Sequence, residues 1–338
     1  MPKIKKYLIT GGAGFIGSSF IRYLYRHKKN IEVRCLDKMT YAANLQTVKE
    51  LKKSFNFQFY KDDICDPAAV RQAMAGVDVV VNFAAESAVD RSINDPSAFI
   101  RTDVQGVYVL LQEARRQKNL KRFVQISTDE VYGDIFKGSF TEESVLKPRN
   151  PYAAVKLAGD RLAYSFFTTY GLPVILTRSS NNYGPGAYLE KAIPLFITNV
   201  LSGQKVPVYG AGKQMRDWLF VDDHCAALDL LIERGKNGEV YNIGSGQELS
   251  NIDLTRKILK AMGKNTSLIK FVQDRPGHDF RYSLSTTKIQ KLGWAPQMPI
   301  NEGLSKTIVW YRDNEHWWRP VKANMEKRYI TGYWGNKK

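Results

Sequence analysis

The sequence predicts an α/β protein: a doubly wound parallel sheet with a smaller mixed α/β substrate-binding lobe at the C-terminus. Three observations predict it. Short apolar strands alternate with amphipathic helical stretches through the first half of the chain, the pattern of parallel β-α repeats. A glycine-rich turn joins the first strand to the first helix. After residue 180 the segments become shorter and more mixed. The chain therefore divides into residues 1–180, a unit the chain crosses back into later, and residues 181–338, mainly the lobe.

Composition limits the possibilities. With 338 residues, 43% hydrophobic and 25% charged, there is room for one large or two closely joined domains. No apolar run reaches the length of a membrane span, and the first strand starts too early for a signal peptide to precede it. Cys35, Cys65 and Cys225 lie far apart without metal-ligand spacing, so they read as reduced thiols of a cytoplasmic protein with no metal site. The formal charge is +17, and residues 1–61 hold 13 lysines and arginines against 3 acids. A basic surface can attract an anionic substrate. These residues are scattered, however, with no nucleic-acid motif or aromatic ladder, so they read as a solvated exterior.

In chain order, Tyr7-Leu8-Ile9-Thr10 is the first strand, and Gly11, Gly14 and Gly17 follow before a helix through Phe20, Ile21 and Leu24. Glycines at that spacing let a helix N-terminus meet a pyrophosphate, the Rossmann arrangement. A second strand, 33–36, ends in Asp37, 20 residues after Gly17, where a carboxylate meets the adenosine ribose. An acid there repels a 2′-phosphate, which predicts NAD rather than NADP. Strand three, 57–60, leads to Asp63, suited to the adenine edge or to a plain turn. Strand four, 77–83, leads to Ala84 and Ala85, small enough for a flat cofactor to pass, and to Ser87, within reach of a sugar. Glu86, Asp90 and Arg91 read as a structural charged set. Residues 96–118 read as one long amphipathic helix.

The fifth strand ends in Thr128-Asp129-Glu130. Adjacent carboxylates repel, so their environments drive their proton affinities apart and one site can hold an acid beside a base. The plainer reading is a polar loop capping a helix. Pro151 opens a helix running to Tyr170, on which Tyr152 and Lys156 share one face. An ammonium beside a phenol favours the phenolate, a working base. Beyond strand six, 174–177, extended pieces occupy 206–210 and 216–221, a helix runs through Leu231, a strand covers 240–244, and Ser250 caps a helix to Met262. The loop 274–279 offers basic donors for phosphate; His278 on its own reads as structural. The aromatic, basic tail, with Trp317, Trp318, Tyr329, Tyr333 and Trp334, is expected to pack on the body.

These residues resemble the extended short-chain dehydrogenase/reductases, and among them the dTDP-glucose 4,6-dehydratase family, from Tyr7 to about Tyr311. The specific elements are Thr128-Asp129-Glu130, the Tyr152/Lys156 pair, 180–185, Arg216-Asp217-Trp218 and 274–279. Related epimerases and decarboxylases share the glycine loop and Tyr-Lys pair but generally lack the Asp-Glu pair. The resemblance implies internal redox in a homodimer that supplies deoxysugar of the rhamnose type. Tyr152 takes the proton of the sugar 4-hydroxyl, hydride passes from C4 to NAD, Glu130 takes the C5 proton, Asp129 protonates the leaving 6-hydroxyl, and hydride returns to C6. It implies Phe15, Ile16, Asp37, Asp63, Ile64, Ala84, Thr102, Tyr152, Lys156 and Asn182 around NAD. It implies Ser87, Thr128, Asn181, Lys191, Tyr209, Arg216, Asn242, Arg275 and His278 around the sugar nucleotide. Helices 96–118 and 152–170 would form the dimer interface.

Three places depart from the family pattern: Ala88 replaces a histidine, Asp103 an asparagine, and 186–190 a more aromatic stretch before Lys191. The last of these is expected near the substrate and leaves the nucleotide and sugar open. The competing readings are a UDP-sugar 4,6- or 5,6-dehydratase, a 4-epimerase, a decarboxylase of the same fold, or a non-catalytic NAD-binding sensor.

Overall fold

Strand and helix alternate in the structure as the sequence predicts. The computed structural model describes residues 4–332, with side chains as far as Met325. The chain runs β1 (Lys6–Thr10), α1 (Phe15–His27), β2 (Glu32–Leu36), α2 (Leu45–Leu51), β3 (Phe57–Tyr60), α3 (Pro67–Met74), β4 (Val79–Asn82), α4 (Val89–Asn94) and α5 (Ser97–Phe99). A π-helical turn (Ile100–Gly106), α6 (Val107–Arg115), β5 (Arg122–Thr128), a 3₁₀ turn (Asp129–Tyr132), α7 (Pro151–Tyr170) and β6 (Val174–Ser179) follow. Then come β7 (Asn181–Tyr183), α8 (Ala192–Leu201), β8 (Val206–Tyr209), β9 (Met215–Phe220), α9 (Val221–Arg234) and β10 (Val240–Ile243). The last elements are β11 (Glu248–Ser250), α10 (Asn251–Ala261), β12 (Ile269–Val272), α11 (Thr287–Gln290), α12 (Ile300–Asp313) and α13 (Glu315–Gly332).

Seven strands form one parallel sheet in the order β10-β6-β5-β4-β1-β2-β3. The order reverses between β1 and β4, which opens a crevice at the C-terminal ends of the strands. Alternate residues feed opposite faces. Ile9, Val81, Val124 and Ile175 pack under Phe20, Leu24, Leu228 and Leu231 of α1 and α9. Leu8, Val80, Phe123 and Leu176 pack under Val70, Leu110, Ala163 and Phe166 of α3, α6 and α7. With both faces covered, the strands read as continuous apolar runs rather than alternating ones.

The lobe is built from a three-stranded sheet, β11-β9-β7, and a parallel pair, β12-β8. Its core gathers Ile193, Ile197, Trp218, Phe220, Leu254, Leu304 and Trp318. The tail aromatics Trp317 and Trp318 pack on this core as expected; Tyr329, Tyr333 and Trp334 lie outside the described side chains. Among the described residues no helix is long and apolar enough to cross a membrane.

The stretch 96–118 is not one regular helix. It forms over 97–115 and widens through the π-helical turn Ile100–Gly106. Thr102, Val104 and Gly106 are weak helix formers, and Gly106 fits closely: a Cβ there would lie 2.5 Å from Ile64. By contrast α7 has the predicted bounds. Pro151 sits at its first turn, the Asn150 side chain accepts the Ala153 N–H at 2.9 Å, and Gly171 ends it at φ +68°.

Candidate active site

The crevice begins at the glycine loop. Gly11 has φ +66°, and a Cβ on it would lie 2.6 Å from the Ala84 nitrogen. A Cβ on Gly17 would lie 2.5 Å from the Gly11 carbonyl oxygen. Both positions therefore require glycine. Gly14 caps α1 without a side-chain hydrogen bond, and the first turn carries no acid. The N–H groups at Phe15 and Ile16 thus face the crevice with the positive end of the helix behind them, a ready anion site. Asp37 binds the loop from β2, accepting from Ala13 N at 2.9 Å and Met39 N at 2.7 Å. Burial raises its carboxyl above the ordinary value. At the end of β3, burial works to raise Asp63, but a Lys38 ion pair at 2.8 Å and the Cys65 N–H hold it below the usual range. Ile64 is buried beside it against the π turn, which also carries Thr102. The small cradle, the open helix end and a carboxylate at the ribose position fit an adenine dinucleotide.

At the end of β5, Thr128 caps the 3₁₀ turn: its Oγ1 accepts the Glu130 N–H at 3.3 Å and donates to Asp129 at 3.1 Å. Asp129 is 3% exposed and its Oδ2 has no partner. Burial first, then the neighbouring Glu130 charge, pushes its carboxyl up to about 8, against the Thr128 hydrogen bond. Glu130 is half-buried and accepts from Asn150 Nδ2 at 3.1 Å and Tyr282 OH at 3.4 Å. The two carboxylates thus occupy the unequal environments that an acid and a base require.

The Tyr152 hydroxyl is hydrogen-bonded to the Thr128 side chain, which brings the start of α7 to the end of β5. The Tyr152 backbone N–H donates to Ser92 Oγ at 3.1 Å, and Phe99 packs edge-on against its ring at 6.3 Å. Lys156 is buried; its Nζ donates to the Ile126 carbonyl at 2.9 Å and lies 3.4 Å from Asp103. One expectation is corrected here. The lysine was expected to lower the phenol, yet the Tyr152 phenol stands well above its ordinary value. Burial is the largest cause, followed by the charges of Glu130, Asp103 and Asp129. Burial of the ring decides the direction, and the lysine is itself engaged by Asp103 and the Ile126 carbonyl.

On the lobe side, Lys191 opens α8 and donates to the Ser87 carbonyl, and burial lowers its ammonium. Arg275 pairs with Asp90 at 3.2 Å, and Tyr209 donates to the same carboxylate at 3.1 Å. The Glu130 charge acts on both Lys191 and Arg275, so the cationic pocket adjoins the reactive carboxylates. His278 contacts Asp274 at 2.6 Å and is pushed down to about 4 by burial and by Arg275, so it is neutral near pH 7. Arg216 donates to the carbonyls of Met215 (2.7 Å) and Asp279 (3.0 Å) and lies 4.3 Å from the Tyr282 ring centroid. Asn181 turns a buried, unpartnered Oδ1 inward. Asn182 donates to the Ser180 carbonyl at 3.0 Å, and its Oδ1 meets His224 Nδ1 at 2.8 Å.

Asn242 does not join them. It is 0% exposed; its Oδ1 accepts from Tyr132 and its Nδ2 donates to the Phe140 carbonyl, leaving it as a brace between β10 and the loop 133–149. The charged set read as structural divides. Arg91 pairs with Glu190 and lies 3.7 Å from the Tyr41 ring centroid, tying down the divergent segment 186–190, whereas Asp90 orients Arg275 in the pocket. Tyr282, Asn150 and His224 escaped sequence reasoning. Their partners are 20 to 152 residues distant, and no local pattern joins them.

The family described as "GDP-mannose 4,6 dehydratase" matches residues 8–307. A dTDP-glucose 4,6-dehydratase of Streptomyces niveus is 50% identical over 326 residues, covering 95% of this chain and 97% of its own. The low-salt glycan biosynthesis protein Agl12 of Haloferax volcanii is 48% identical over 304 residues, 90% of this chain and 97% of that protein. Among solved structures, the dTDP-glucose 4,6-dehydratase DesIV of Streptomyces venezuelae, with NAD bound, is 46% identical with a TM-score of 0.91, covering 94% of this chain and 99% of that one.

Proposed function

The chain belongs to the GDP-mannose 4,6 dehydratase family, and from that premise we propose that it is a hydro-lyase converting dTDP-glucose to dTDP-4-keto-6-deoxyglucose with NAD. The observation that carries the reading is the end of β5: a buried carboxyl with a free oxygen, Asp129, beside a half-buried carboxylate, Glu130, both against Tyr152 and Thr128. An epimerase has no use for that acid-base pair, because it eliminates nothing.

The chain's own groups divide the work. Gly11, Gly14, Phe15, Ile16 and Gly17 meet the pyrophosphate, Asp37 the ribose, Asp63 and Ile64 the adenine edge, and Ala84, Thr102, Lys156 and Asn182 the remainder. Bound NAD supplies the acceptor for the C4 hydride and its donor at C6, and its oxidised ring adds a positive charge that favours the Tyr152 phenolate. Tyr152, held by Thr128, takes the proton of the 4-hydroxyl. With C4 a ketone, the C5 hydrogen is acidic and Glu130 removes it. Asp129 gives its proton to the 6-hydroxyl, which leaves as water, and C5 is reprotonated from Glu130. Lys191, Arg216 and Arg275 supply charge for the diphosphate, with Ser87, Asn181, Tyr209 and His278 lining the sugar and nucleoside.

We also propose the nucleotide-binding unit as 1–180 with the returning segment around α9 and β10, a cytoplasmic setting, and a homodimer through 97–115 and α7. Supporting the dimer, these helices expose Ile100 (52%), Tyr108 (47%), Tyr164 and Tyr170, and Arg115 lies 4.3 Å from the Tyr170 ring centroid, joining their outer faces.

The test is to incubate the purified protein with dTDP-glucose, with and without added NAD, and follow the sugar nucleotide by mass spectrometry. Loss of one water without stoichiometric reduction of NAD is expected. An unchanged mass with an epimerised sugar would overturn the dehydratase reading. Water loss from UDP-glucose alone would change the base and keep the chemistry.

A further inference from the structure

Asp103 is the charged group of the crevice that the reaction above leaves without a task. It stands in the π-helical turn and is 2% exposed. Its Oδ2 accepts the Glu86 backbone N–H at 3.0 Å. Its Oδ1 faces Lys156 Nζ at 3.4 Å and has no other partner among the described residues. The only other contact of that ammonium among the described residues is the Ile126 carbonyl, at 2.9 Å. The widened turn puts this carboxylate opposite α7, where Gly159 lets the two backbones close: a Cβ at Gly159 would lie 2.5 Å from the Asp103 carbonyl oxygen.

Several elements present charges to Tyr152 and Asp103. The 3₁₀ turn presents Asp129 and Glu130, the π turn Asp103, and the segment after β4 Glu86. From α4, Asp90 is engaged by Arg275 and Tyr209, and Arg91 by Glu190. From α7 comes Lys156 itself. Lys156 follows Tyr152 by one turn of α7 and is the cation that the Tyr-Lys pair would bring to the phenol, and Asp103 and the Ile126 carbonyl already engage it. Burial raises the Asp103 carboxyl to about 6, with Lys156 opposing, so the carboxylate is ionised at neutral pH.

We propose that Asp103 is a positioning residue that draws the Lys156 charge away from Tyr152, and so places the onset of C4 oxidation at higher pH than the Tyr-Lys pair alone would set. The inference rests on Tyr152 being the base for the 4-hydroxyl. Removing the Asp103 charge leaves the ammonium free for the phenolate and removes a like charge beside it. Both changes favour the deprotonated phenol, so the rising limb moves to lower pH. A neighbouring charge in a buried site is worth about one pH unit or more, which below both limbs is about a tenfold gain in rate.

The experiment uses the NAD-loaded protein and dTDP-glucose in rapid mixing, with reduced nicotinamide absorbance recording the first hydride transfer across pH. Measurements are made in the Glu130→Gln background, where elimination is blocked and the reduced form accumulates. Asp103→Asn keeps the shape and an oxygen for the Glu86 N–H while losing the charge. Its rising limb is expected about one pH unit lower, and that of Asp103→Glu at the parent position. A slower Asp103→Asn enzyme with an unmoved limb would overturn the proposal and leave Asp103 as a loop brace. If circular dichroism finds Asp103→Asn unfolded, Asp103→Ser, smaller and neutral, decides by the same limb. Absence of both water loss and nicotinamide reduction in the otherwise unmodified protein would instead overturn the dehydratase reading, and the inference with it.

Discussion

The decisive proton at the residue scale is the one on Asp129. Its carboxyl is pushed to about 8, so it is protonated at neutral pH and can donate to a departing hydroxyl. A donor is competent below its pKa and lost above it, so water loss is expected to fall as pH rises through about 8, while the first hydride transfer does not follow that limb. Asp129→Asn is expected to abolish the limb and slow water loss by about 10²–10⁴-fold, measured as product formation against reduced nicotinamide in the same mixture. An intact alkaline limb in Asp129→Asn would assign it to another group. The Asp129-Glu130 pair was legible in the sequence because its two members are adjacent. Its second partner shell was not, because Tyr282 reaches Glu130 across 152 residues. Asn242 was expected at the sugar nucleotide only from the family resemblance, and the fold discloses that Tyr132 and Phe140 already satisfy its side chain.

At the element scale, legibility followed local chemistry. The ends of α7 were marked by Asn150, Pro151 and Gly171, and the structure ends the helix there. The π turn carries no such mark, since one widened turn within an amphipathic stretch does not disturb the apolar stripe. Strands β7 and β12, of 3 and 4 residues, are too short for a period and form only because Trp218 and Val206 lie alongside from distant parts of the chain. The π turn nevertheless fixes a close crossing with α7. Gly159→Ala would put a methyl 2.5 Å from the backbone oxygen of Asp103, an atom that cannot swing aside as a side chain can. The substitution is expected to destabilise the fold by about 1–3 kcal/mol, read as a lowered unfolding midpoint, and to reduce turnover by moving the Asp103-Lys156 pair. An unchanged midpoint would show that the two helices slide apart freely.

At the scale of the whole molecule, the same two helices have two surfaces with different tasks. Inward they carry Asp103, Tyr152 and Lys156; outward they leave Ile100, Tyr108, Tyr164 and Tyr170 in water. The outer face is also basic, with Arg101, Arg115 and Arg161 along it, but each is engaged: Arg101 with Asp63, Arg115 over Tyr170, and Arg161 with Asp160. A two-fold partner would therefore meet aromatic and aliphatic surface rather than bare like charge, and an isologous pairing would bury each exposed ring twice. The doubly wound sheet was predictable from repeated β-α units, whereas this surface follows only from knowing which side of each helix the sheet covers. Sedimentation equilibrium is expected to give twice the 38.5 kDa chain mass. Ile100→Asp combined with Tyr164→Asp should return it to the chain mass, because four carboxylates would then be buried per dimer without partners. Because both catalytic helices lose a support, turnover should fall with the dimer and recover at protein concentrations that restore it. A wild-type chain sedimenting as a monomer with full activity would separate the two surfaces and leave the outer one unassigned.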